Sequence, residues 1–159
     1  MRLGRVTTAV PNRELTALMD IRVDVDLPCS IDAVLPLIND LTQDPQWMGL
    51  VYAVVPEADN QAWQVELRGK IGPFARSKRL RMVQVETSST EHLRFERAEV
   101  DGRSHSAWVL EAKVSQQASM TTLNMTLQYS GRLFSSVVER ALHDEIEASK
   151  QRLRKLVTQ

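Results

Sequence analysis

The stretch 133–157, LFSSVVERALHDEIEASKQRLRKLV, decides the fold. Phe134, Val137, Val138, Ala141, Leu142, Ile146, Leu153 and Leu156 recur at the spacing of one helical face. The acids Glu139, Asp144, Glu145 and Glu147 come before the bases Lys150, Arg152, Arg154 and Lys155, an order that suits the helix dipole. Arg140 and Asp144 add an i,i+4 pair. A helix with one apolar stripe needs an apolar surface to cover, and the residues upstream supply a sheet.

Working back from Gly131, Leu123, Met125, Leu127 and Tyr129 alternate with Thr122, Asn124, Thr126 and Gln128. Before the turn at 116–119, Trp108, Leu110, Ala112 and Val114 alternate with Val109, Glu111 and Lys113. Leu93 and Phe95 alternate with His92, Arg94 and Glu96, and Asp101-Gly102 is a hairpin signal. Residues 78–87 and 51–55 read as strands. So do Trp63, Val65, Leu67 and Ile71, which alternate with polar neighbours up to the Gly72-Pro73-Phe74 break. Ile21, Val23, Val25 and Leu27 form a first strand, ended by Pro28. Ser30 is the expected cap of a short helix carrying Ile31, Val34, Leu35 and Ile38, with Pro36 inside it. Residues 40–45 read as a loop. Asp44 is then the expected cap of a second short helix, with Pro45 its first residue. The order is β-α-α-β-β-β-β-β-β-α. Connections this short force antiparallel neighbours, and one apolar face per strand fits a sheet covered on one side.

Composition narrows the function. With 159 residues the chain is long enough for one domain with a real core. Twenty basic and 20 acidic residues balance, which argues against a nucleic-acid partner. The basic cluster Arg76, Lys78, Arg79 and Arg81 reads as the wet face of a strand. A single cysteine, Cys29, leaves no disulfide framework, and neither CxxC nor HExxH occurs. No metal and no cofactor is expected. No apolar run approaches the roughly 18 residues of a membrane span. Residues 1–18 are polar and aperiodic, read as a flexible arm or a mis-assigned start before a domain at 19–159. The expectation is a cytoplasmic protein without stable membrane insertion, and the sheet edges leave room for a homodimer.

The element order, Trp47-Met48-Gly49 after two short helices, the Gly72-Pro73-Phe74 break and the closing helix together resemble the START-like superfamily. That group, also called SRPBCC, includes polyketide cyclase/dehydrase-like proteins and plant pathogenesis-related allergens. The resemblance covers about Met19 to Val157. It implies an α+β helix-grip fold of the START/Bet v 1-like kind: a seven-stranded curved antiparallel sheet wrapped around the last helix, with an elongated cavity between them. It also implies that most members bind apolar small molecules and that a minority catalyse reactions in the cavity. No catalytic motif of those enzymes maps onto this chain, so no catalytic residue is assigned.

Strand parity puts Val65, Leu67, Phe95, Trp108, Leu110, Met125 and Leu127 on the concave face, with Val138 and Leu142 opposite them on the helix. Trp47, Met48 and Phe74 flank loops at one end of the cavity, as packing or as a gate. Three charged residues interrupt the pattern: Glu145 and Arg152 on the helical stripe, and Arg97 in phase with Phe95. A buried carboxylate is costly without a partner, so either Glu145 and Arg97 meet inside, directly or through a ligand or water, or the sheet twists away there and both reach solvent. His92 and His143 fall on polar faces, and His105 lies at a hairpin end. The favoured reading is binding or transport of a hydrophobic small molecule, lipid-, polyketide- or aromatic-like. The alternative is a polyketide aromatase/cyclase-type enzyme using Glu145, Arg97 or Tyr129 for proton transfer.

Overall fold

A computed structural model describes residues 18–59, 61–69, 77–130 and 136–159. It contains β1 (Leu18–Leu27), α1 (Ile31–Ile38), a 3-10 helix (Leu41–Gln46), β2 (Val51–Pro56), β3 (Ala62–Leu67), β4 (Lys78–Val85), β5 (His92–Arg97), β6 (Trp108–Gln117), β7 (Met120–Ser130) and α2 (Ser136–Val157). The proposed N-terminal arm up to residue 17, Ile71, Gly72-Pro73-Phe74 and Phe134 lie outside the described residues. So do the side chains of Val137 and Val138.

The seven strands form one sheet in the order β1-β7-β6-β5-β4-β3-β2, antiparallel throughout. Strands β2 to β7 each pair with their neighbours in sequence. Strand β1 pairs with β7 from Leu18↔Ser130 to Leu27↔Thr121. On the outer face of that pair Thr122 and Asn124 donate to Asp26 and Asp24 at 2.7 and 2.6 Å. The register fixes the inner face: Ile21, Leu127, Leu110 and Phe95 sit opposite one another across β1, β7, β6 and β5. Leu27, Phe95, Leu123 and Leu153 are fully buried, so the core lies between the sheet and α2.

Helix α1 begins after Ser30, which takes the N-cap position but makes no side-chain capping hydrogen bond, and runs through Pro36 to Ile38, burying Val34 and Ile38. The second short helix departs from expectation. It is a 3-10 helix that starts at Leu41, inside the stretch read as a loop. Asp40 caps it, accepting from the Thr42 backbone N–H at 3.0 Å. Asp44 is therefore not a cap; it is an interior residue of the turn and is buried. Its backbone carbonyl accepts from the N–H groups of Trp47 and Met48 at 3.1 and 2.8 Å. The β6–β7 hairpin is also tighter than read. Gln116 and Gln117 belong to β6, and the turn closes at Ala118, whose φ is +56°. At the other hairpin Gly102 takes the positive φ, +75°, that its Asp-Gly signal implies.

Candidate functional site

Between the concave face and α2 lies an apolar cavity of about 190 Å³. Strands β1, β7 and β6 contribute Ile21, Val23, Met125, Leu127, Trp108 and Leu110; β3 and β4 contribute Val65, Leu67, Leu80 and Met82. Helix α2 closes the opposite side with Leu142, Glu145, Ile146 and Ser149, and the segment from Trp47 to Val51 forms an end wall. Ile21, Leu110 and Leu127 are only half-buried although they face inward, because they border open space rather than packed atoms.

Eleven of the residues singled out from the sequence as cavity or proton-transfer candidates line this space: Trp47, Met48, Val65, Leu67, Trp108, Leu110, Met125, Leu127, Tyr129, Leu142 and Glu145. Phe95 does not. The sheet curls so strongly that Phe95 meets Trp63 of β3 edge-on, 5.6 Å between ring centres, in filled core. Arg97 does not line it either, and it does not meet Glu145. At the end of β5 its Nε donates to Glu99 at 2.8 Å, and Nη1 donates to the Ser106 carbonyl at 3.2 Å. A carboxylate two residues along the chain, on the looping backbone beyond the strand, outcompetes one across the core.

Glu145 pairs instead with Arg152, two helical turns further on. Ser149, between them, donates to Glu145 and accepts from Arg152, each at 3.3 Å. Arg152 Nε also donates to the Trp47 carbonyl at 3.0 Å. Gly49 is what lets the loop approach so closely. A Cβ there would overlap the Glu145 carboxylate and stand 2.6 Å from Arg152 Nη2. Trp47 is held from the other side by a long hydrogen bond, 3.4 Å, from its indole N–H to the Leu37 carbonyl.

Asp44 is a polar residue of the wall that sequence reasoning did not place there, as are Ser149 and Lys150. It is 5% exposed, and no hydrogen bond or ion pair to its carboxyl is found among the described residues. Burial, with the nearby charge of Asp40 adding to it, pushes the carboxyl's pKa well above the ordinary carboxylate range. The signal was weak, because Asp-Pro is a common helix start and hides a buried acid. Leu80 and Met82 were legible: they sit opposite Val65 and Trp63.

The histidines are engaged or exposed. His92 Nε2 lies 2.7 Å from Glu111, His105 pairs with Asp101 at 2.9 Å, and His143 is exposed. Among the described residues no group of His, Cys, Asp or Glu could hold a metal ion. Among them, too, no helix is long and apolar enough to cross a membrane.

No family model and no curated protein matches the sequence. Solved structures do match the fold. A START superfamily protein from Mycobacterium smegmatis superposes with a TM-score of 0.68 at 12% identity, over 87% of this chain and 97% of that one. The fold is that of the START-like superfamily. A Thermus thermophilus protein matches this chain with a TM-score of 0.64 at 15% identity, covering 88% of this chain and 97% of the other. The Zhui aromatase/cyclase of a Streptomyces species gives 0.58 at 12% identity, over 89% and 92%. At these identities the likeness is one of architecture.

Proposed function

We propose that this protein binds a small apolar or aromatic molecule in the cavity between the sheet and α2. The supporting observation is the cavity itself, about 190 Å³ walled almost wholly by aliphatic side chains, Met and Trp. Native cores are close-packed, so a void of this size is not a packing residue. An apolar cavity of about 150 Å³ accepts benzene, which scales this one to a ring with substituents. Burying about 200 Å² of ligand surface contributes roughly 5 kcal/mol before the cost of immobilisation. The cavity wall offers few polar groups to steer a reaction, which favours a binder over a cyclase. Methyl NMR with ethylbenzene tests the reading. Shifts concentrated on Val65, Leu110, Leu127 and Leu142 are expected; shifts absent, or confined to surface methyls, overturn it.

A further inference from the structure

We propose that Asp44 recognises the polar end of the ligand: its carboxylic acid donates a hydrogen bond to an oxygen acceptor, so the cavity selects neutral carbonyl compounds over hydrocarbons of the same shape. The inference rests on the ligand-binding reading above and names the ligand class. Asp44 lies in the cavity wall, almost fully buried, with no partner for its carboxyl among the described residues. A buried polar side chain without a partner is uncommon and calls for an explanation, and a ligand oxygen supplies one. The backbone fixes its place, since the Asp44 carbonyl anchors the turn through the Trp47 and Met48 N–H groups.

The charges around it favour the neutral acid. Asp40, on the same turn, opposes ionisation. From the strands the titratable groups on the wall reduce to Tyr129; from α2 they are Glu145 and Lys150. Lys150 is held by Glu147 at 3.0 Å, and Arg152 is held by Glu145 and the Trp47 carbonyl. No cation in the described wall is therefore aimed at Asp44. A protonated carboxyl donates one hydrogen bond, and a ketone accepts one.

Three probes of matched size test this: acetophenone, α-methylstyrene and 1-phenylethylamine, titrated by calorimetry against the whole chain. Acetophenone is expected to bind about tenfold more tightly than α-methylstyrene. Its affinity should fall as pH rises through the Asp44 titration, because a carboxylate no longer donates. Asp44→Asn keeps an N–H donor and should retain the preference without the pH dependence. Asp44→Leu should reverse the preference; if that variant does not fold, the Asn variant and the pH series still decide. Equal affinity for ketone and hydrocarbon, or a preference indifferent to Asp44→Asn and to pH, overturns the inference while leaving the ligand-binding reading intact. Tighter binding of the amine overturns it in favour of an ionised Asp44. Binding of none of the three overturns the ligand-binding reading and this inference with it.

Discussion

Arg152 donates from Nε to the carbonyl oxygen of Trp47, 3.0 Å away, and so fastens the end wall of the cavity to the last turns of α2. The same guanidinium holds Glu145, which lines the cavity. One side chain thus couples the loop before β2 to the helix that the sheet grips. Because the pair is about one-third exposed, its worth lies in position more than in Coulomb energy.

Arg152→Met keeps the apolar stem and removes every donor. Unfolding by urea is expected to show a loss of about 1 kcal/mol, discounted for solvent exposure. Hydrogen exchange at residues 47–50 should accelerate more than exchange in β6 or β7.

Gly49→Ala pushes a methyl group into the Glu145–Arg152 pair. A loss of about 1 kcal/mol is expected in the native background, since the atoms it meets end flexible side chains and can move aside. Combined with Glu145→Ala and Arg152→Ala, the same substitution should cost much less. Comparing the cost of Gly49→Ala in the two backgrounds by chemical denaturation reads this coupling directly.

Asp44 gives stability a pH dependence of unusual sign for a carboxyl. Its folded pKa is raised, chiefly by burial, so the native state holds a proton that the unfolded chain has released. Stability contributed by this residue is full below the ordinary carboxylate range and declines as pH rises toward the raised folded pKa. Asp44→Asn should flatten that part of the stability profile, measured by thermal unfolding across pH.

Phe95 and Leu127 share a row of the inner face but border different surroundings. Phe95→Ala should cost about 3–5 kcal/mol, because it opens a hole in filled core against Trp63. Leu127→Ala borders existing space and should cost less, near the low end of core truncations at about 2 kcal/mol. Parallel urea titrations of the two variants check the ranking.

The strands and the gripping helix are plain in the sequence because their periods are long and uninterrupted. Trp108, Leu110, Met125 and Leu127 sit where alternation places them, and Leu142 faces them from α2. Curvature is what alternation does not carry. Phe95 has the right parity, yet the curl of the sheet seats it against Trp63 instead of open space. Arg97 likewise has inward parity, but Glu99 lies within reach once β5 ends. The true partner of Glu145 was visible on the same stripe. Seven residues is two turns, a spacing that only two long side chains leaning toward each other can bridge, and neighbour rules at three and four miss it. Local chemistry fits Asp44 as a cap; only the packing of the 3-10 turn against β2 and the core shows it buried.

The space beside Leu110 and Leu127 is the proposed binding site for an apolar molecule rather than an idle void. Calorimetric titration of ethylbenzene into the native protein and into Leu127→Trp, which fills that space, tests it most directly. The account predicts one saturable site in the native protein and its loss in a folded, filled variant. No binding to the native protein, or undiminished binding to the filled variant, would contradict it.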